Sequence, residues 1–183
     1  MNKAVFLDRD GTINVEKEYL YRCEDFEFIA GVPQAIRRLN DAGFCVVVVT
    51  NQSGVARGFY SEADVVNLHR YINDQLAAYA AAINAFYYCP HHPASGEKPY
   101  RRECCCRKGK PGMLLQAAAD LNRDLSVSYM IGDKIADIVA GEAAGCMSML
   151  VLTGYGKSAQ ANIAADTAVY ADLPAAVDAI LSC

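Results

Sequence analysis

One stretch limits the fold more than any other: Phe44 to Asn51 reads FCVVVVTN, with four consecutive valines. Alternate side chains of a strand point to opposite faces, so a run that is apolar at every position has to be buried on both. A sheet buried on both faces is a parallel sheet between helices, and parallel strands need long crossovers to bring the chain back. A second such run, KAVFLD, ends at Asp8. Between them, GVPQAIRRLNDAG has Pro33 near a helix start, Ala35, Ile36 and Leu39 at helical spacing, and Gly43 as a stop. The three segments make a β-α-β unit.

The alternation continues. SEADVVNLHRYINDQLAAYAAAI opens on a Ser-x-x-Asp cap and carries Val65, Leu68, Ile72 and Leu76 along one face, which predicts a helix over the whole segment. AFYYC reads as a third strand. A helix from about Pro111 to Leu121, a strand SYMIGD, a helix ending near Gly145, a strand SMLVLTG and a final short strand and helix complete the chain. The expected architecture is α/β, a parallel sheet with helices on both faces, built as one domain over residues 1–183. Periodicity is weakest from Asn14 to Gly31, which predicts a flap over the sheet edge.

Composition narrows the partner. A net charge of −4 leaves no positive excess to follow a nucleic acid or an anionic membrane, so a small molecule is expected. No signal-peptide core precedes Asp8, and Asn84 interrupts the longest mostly apolar stretch, Leu76 to Cys89. A soluble, cytoplasmic protein is expected, in which thiols stay reduced and clustered cysteines point to metal.

Ligands of open parallel sheets bind beyond the carboxyl ends of the strands. Three strands end there in polar residues: FLDRDGT, VVTNQSG and IGDKIAD. In extended backbone Asp8 and Asp10 share a side, and two carboxylates so close require a proton or a cation. Asp133 on another strand adds a third, an oxygen set suited to Mg²⁺. Thr50, Asn51 and the backbone N–H groups of GT and NQSG offer donors to a phosphate oxygen. Any one of these aspartates alone reads equally well as a cap or turn residue.

This constellation resembles the haloacid dehalogenase superfamily of phosphohydrolases. Its first motif, Asp-x-Asp-Gly-Thr, stands as DRDGT, its second falls on Thr50, its third on Lys108 and its fourth on GDKIAD. The resemblance implies a three-layer Rossmann-like fold with a minimal cap made of the flap and the Cys-rich loop. It also implies Asp8 as the nucleophile that forms an aspartyl-phosphate and Asp10 as the acid and base. Thr50 and Lys108 would stabilise the phosphoryl group, and Mg²⁺ would be held by Asp8, the Asp10 carbonyl and Asp133. A proton on Asp10 is expected because its neighbour is charged. Asp137, one turn beyond Asp133, is expected to support Lys108 or the metal shell.

The resemblance extends to a bacterial branch that includes heptose-bisphosphate and histidinol-phosphate phosphatases. FLDRDGTINVE, VVTNQSGVARGFY, FYYCPHHP, CRKGKPGM and SYMIGDKIAD occur in its order over about 150 residues. It implies hydrolysis of the C7 phosphate of a heptose 1,7-bisphosphate, a step towards the lipopolysaccharide core, with histidinol phosphate as the alternative. It also implies a monomer and substrate contacts from Arg9, Glu16, Tyr19, Asn51, Gln52, Ser53, Arg107 and Lys134. The third motif departs from the family's Lys-Pro-x-Pro-Gly: here it is KGKPG. Gly109 is expected to loosen the aim of Lys108, and Lys110 stands as a competitor for its role. Arg57 and Arg107 both suit a second phosphate, Arg107 better because it adjoins Lys108.

Residues 89–106 hold half of the chain's eight cysteines and two of its three histidines. Cys89-x-His91 and Cys104-x-Cys106 are two soft-ligand pairs suited to tetrahedral Zn²⁺, and the branch carries a structural zinc on this pattern. Cys105 remains an alternative to either neighbour, and a loop of unliganded thiols is the competing reading. Cys23, Cys45, Cys146 and Cys183 read as packing or incidental thiols, His69 as a packed or surface residue, and TGYGK from Thr153 as a turn. A rival from another class is a non-catalytic zinc-containing binding module with structural aspartates, against which the acidic balance argues.

Overall fold

In the computed structural model, residues 2–182 are described, and Cys183 lies outside them. Six strands form one parallel sheet in the order β3-β2-β1-β4-β5-β6. These are β1 Ala4–Leu7, β2 Cys45–Asn51, β3 Ala85–Cys89, β4 Tyr129–Gly132, β5 Met147–Val151 and β6 Ala168–Tyr170. The helices are α1 Val32–Asp41, α2 Glu62–Ala77, α3 Gly112–Leu121, α4 Ile135–Ala144, the short α5 Gly156–Ala159 and α6 Leu173–Leu181.

The valine run does what its pattern requires. Val46 and Val48 join Val5, Leu7, Ile36, Leu68 and Ile72 on one side of the sheet. Val47 and Val49 join Phe6, Met113, Leu114 and Met130 on the other. Burial of each valine contributes roughly 1.5–3 kcal/mol, so neither layer of helices can be spared. No helix among the described residues is long and apolar enough to cross a membrane.

Two expectations need correction. The helix opened by the Ser61–Asp64 capping box ends at Ala77 and does not run on to Ile83. There the Leu76 carbonyl accepts from the Tyr79 and Ala81 N–H groups, and Asn73 holds Ile83 by both its N–H and its carbonyl. Those bonds turn a helix-favouring alanine run into a return towards β3. The flap does not follow a lateral edge either. It rises from β1, in the middle of the sheet, and closes back through the pairing of Asn14 with Asp10 and Phe28.

Candidate active site

The strand order places β1 and β4 side by side, and with them Asp8 and Asp133. The Asp8 N–H donates to the Ile131 carbonyl at 2.9 Å, so the ladder continues one residue past β1 and holds the Asp8 backbone rigid. Its Oδ1 accepts from Lys108 Nζ at 2.6 Å and from the Arg9 N–H at 2.7 Å. Asp137, from the first turn of α4, takes Lys108 Nζ on Oδ1 at 2.7 Å and the Lys134 N–H on Oδ2 at 2.9 Å. Lys108 is therefore buried between two carboxylates. Burial alone would lower its pKa, but Asp137 and Asp8 outweigh that and raise it, so it stays an ammonium.

Asp133 is fully buried. Its Oδ2 accepts from the Tyr155 N–H at 2.8 Å, while its Oδ1 has no hydrogen-bond partner among the described residues. Burial first and the charge of Asp8 second push its carboxyl up to about 7. Oxygens of Asp8, Asp133 and Asp137 lie within 4.8 Å of one another. Lys134 lies 4.0 Å from Asp133 but is matched by Glu16 at 3.2 Å, so the three carboxylates against the ammonium of Lys108 leave two negative charges, which a divalent cation matches. Asp137 is already committed on both oxygens, so Asp8 and Asp133 are the residues with capacity left for a cation.

Asp10 is not one of these three converging carboxylates. β1 stops at Leu7, and the Arg9 carbonyl accepts from Thr12, Ile13 and Asn14, so the chain turns and the two carboxylates take different partners. Asp10 binds Arg9 at 2.9 Å, Asn14 at 3.0 Å and Gln52 at 3.1 Å. Burial would raise its pKa, but Arg9, the Asn14 amide and Lys134 prevail and lower it. The neighbour that outweighs burial at Asp10 is thus the Arg9 cation. Arg9 itself is 1% exposed; its Nη2 donates to Asp10, Gln52 and the Leu20 carbonyl, while its Nη1 has no hydrogen-bond partner among the described residues. Its side chain is buried against the flap and does not line the cavity.

Thr50 is buried and accepts from Gln52 Nε2 at 2.9 Å. Asn51 Oδ1 accepts from the Lys108 N–H at 2.9 Å, which ties β2 to the third motif. Gly109 has φ +97°, and its N–H donates to the Ala136 carbonyl at 3.0 Å. A proline could adopt neither that φ nor that bond. Gly109 therefore anchors the segment instead of loosening it. Lys110 points elsewhere, to Glu103 at 3.1 Å on the exposed surface, and is no competitor for Lys108.

Over this floor lies a cavity of ≈ 350 Å³. It gathers Asp10, Glu16, Tyr19, Asn51, Gln52, Ser53 and Lys134. Glu16 on the flap pairs with Lys134 at 3.2 Å, bridging flap and fourth motif. Two tyrosines that sequence reasoning passed over also line it. Tyr60 donates to Gln52 Oε1 at 2.7 Å, and Tyr155, from the expected turn, has its ring 4.8 Å from Lys134 Nζ. The position of TGYGK just beyond β5 was the available signal. Arg107 is not in this cavity: its Nη1 donates to the His91 carbonyl at 3.1 Å, beside a smaller hollow shared with Arg102 and Lys110.

The Cys-rich loop brings Cys89, His91, Cys104 and Cys106 together. Cys89 Sγ stands 3.6 Å from Cys104 Sγ, 3.3 Å from Cys106 Sγ and 3.7 Å from His91 Nδ1. Tetrahedral thiolates around Zn²⁺, with Zn–S about 2.3 Å, stand about 3.7 Å apart, so the donors fit that ion. Cys105 is exposed and outside the group, which removes it as a ligand.

A sequence model of the family described as HAD-hydrolase-like matches residues 105–176. The D-glycero-beta-D-manno-heptose-1,7-bisphosphate 7-phosphatase of Haemophilus ducreyi is 46% identical over 166 residues, 90% of this chain and 91% of its own. Its namesake from Escherichia coli K12 is 46% identical over 95% of this chain and 93% of its own. The crystal structure of D,D-heptose 1,7-bisphosphate phosphatase from B. bronchiseptica, complexed with magnesium and phosphate, superposes with a TM-score of 0.88 at 34% identity, covering 98% of each chain.

Proposed function

Because the chain belongs to the D-glycero-beta-D-manno-heptose-1,7-bisphosphate 7-phosphatases of the HAD-like hydrolases, we propose that it removes the C7 phosphate of that sugar bisphosphate. The observation that carries the reading is Asp8, held on the sheet beside the Lys108 ammonium and near the Asp133 oxygen that takes no hydrogen bond among the described residues.

In this reading Asp8 and Asp133, with the Asp10 carbonyl, would hold Mg²⁺. When bound, the ion offsets the repulsion between the Asp8 carboxylate and the incoming phosphate and withdraws charge from the phosphoryl oxygens. Asp8 attacks phosphorus, the bond to the C7 oxygen breaks, and that oxygen takes a proton from Asp10 to leave as an alcohol. Asp10 then takes a proton from water, whose oxygen attacks the aspartyl-phosphate and returns Asp8 with free phosphate. Asp10 is an anion at rest, so it must enter the cycle with the substrate: a phosphate dianion arriving beside it favours the protonated form. Lys108 and the Thr50 hydroxyl meet the equatorial oxygens as charge spreads over them. Asp137 positions Lys108. The flap, through Glu16 and Tyr19, and the 51–53 segment hold the sugar, with Lys134 paired to Glu16 at the cavity wall. Zn²⁺ on Cys89, His91, Cys104 and Cys106 holds the loop that leads into Arg107 and Lys108.

The test is phosphate release from a panel of esters with Mg²⁺ present. Heptose 1,7-bisphosphate is expected to be the preferred substrate, and a preference for histidinol phosphate would overturn the assignment. Asp8→Asn should abolish release while leaving the fold intact; undiminished release would remove Asp8 as nucleophile.

A further inference from the structure

Beyond its metal ligands, the loop that leaves β3 packs its tip onto the segment between β2 and α2. Gly96 makes the closest approach: a Cβ there would stand 1.7 Å from the Ala56 carbonyl oxygen, and φ is +85°. Only glycine lets the two loops meet so closely. The contact seats His92 against Arg57, whose Nη2 lies 3.4 Å from His92 Nε2.

The other ring nitrogen decides the nature of that contact. His92 Nδ1 accepts from the Ala94 N–H at 3.1 Å and the Ser95 N–H at 2.9 Å. A neutral imidazole that accepts at Nδ1 carries its proton on Nε2. Nε2–H and the guanidinium are then two donors facing one another with no acceptor between them. An oxyanion set before the pair satisfies both, with a charge-assisted bond from the arginine. Arg107, bonded to the carbonyl of the preceding residue, His91, adds positive charge alongside.

The pair adjoins the cavity wall through Tyr19. The Arg57 guanidinium carbon is 5.9 Å from the centre of the Tyr19 ring, which lines the cavity and meets Phe59 edge-on at 4.8 Å. A monophosphate whose ester lies over Asp8 has nothing to offer there; a bisphosphate has a second anion. Resting on the sugar-bisphosphate reading above, we propose that Arg57 and His92 bind the distal, non-reacting phosphate and set the preference for bisphosphates over monophosphates.

Arg57→Met and His92→Asn test this, the asparagine keeping an acceptor for the Ala94 and Ser95 N–H groups while removing Nε2–H. With Arg57→Met, kcat/KM for heptose 1,7-bisphosphate is expected to fall about 10- to 100-fold, mainly through KM, as loss of a hydrogen bond to a charged group implies. Heptose 7-phosphate, which lacks the distal group, should be hydrolysed unchanged. His92→Asn should move the same ratio by less. Zinc content and the urea midpoint check folding; if Arg57→Met fails them, Arg57→Gln is measured in its place. A bisphosphate to monophosphate ratio that stays at the wild-type value in folded variants overturns the inference and leaves the functional reading standing. A wild-type enzyme with no preference for the bisphosphate overturns the reading beneath it.

Discussion

His69 makes a pH dependence of stability that can be worked from its surroundings. It sits on α2, 5% exposed, its ring stacked on Phe86 at 4.5 Å, and its Nε2 has no hydrogen-bond partner among the described residues. Burial, and then the nearby Arg9 cation, hold its pKa down to about 3 from an ordinary 6.5. The unfolded chain therefore takes up a proton below pH 6.5 that the folded protein refuses until near pH 3. The contribution of neutral His69 is complete above pH 6.5 and drains away as the pH falls through that window. At pH 5 the gap is about 1.5 pH units, or about 2 kcal/mol at 1.36 kcal/mol per unit. Urea unfolding of the wild type and of His69→Leu at pH 7.5 and pH 5.0 isolates the effect, because protonation of every other group, the Cys/His cluster included, is common to both proteins. The variant is expected to start near wild-type stability, since it removes an unsatisfied nitrogen and a ring stack of similar weight. It should then lose about 2 kcal/mol less on acidification. Equal losses in the two proteins would refute the claim that this histidine is kept neutral.

Three further outcomes follow from the site. Lys108→Ala should cut kcat by about 10²–10³, the scale of removing one preorganised charge at a transition state, while Lys110→Ala turns over normally; steady-state kinetics distinguish them. Gly109→Pro should destabilise the protein by about 3 kcal/mol, through the lost bond to Ala136 and the forbidden φ, and lower kcat with it, read by urea unfolding and turnover. Cys106→Ser should lose zinc on purification and Cys105→Ser should retain it, read by metal analysis.

Much of this was legible because the physics is local. Four valines in a row admit a doubly buried strand and little else, and Cys-x-His followed by Cys-x-Cys carries its ligand geometry in its spacing. What was not legible depends on contacts between distant segments or on a turn that reverses a local rule. Asp10 follows Asp8 by two residues, yet the turn at Arg9 gives it a different environment and a depressed pKa. The end of α2 is decided by the reach of Asn73 to Ile83, not by helix propensity, which favours the alanines beyond it. Gly109 reads as slack until its N–H is seen to meet the Ala136 carbonyl. Tyr155 holds Asp133 through a backbone N–H, a group every residue but proline possesses, so its side chain gave no warning.

The ladder bond from Asp8 to Ile131 also acts as a gauge. Asp8 and Asp133 stand on neighbouring strands, whose separation, about 4.8 Å, is the most uniform dimension a sheet has. The flap and the Cys-rich loop can shift without widening the gap between those two backbones. The spacing of the two backbones is inherited from the repeat of the β-ladder, while the shape of the cavity above them is left to the loops.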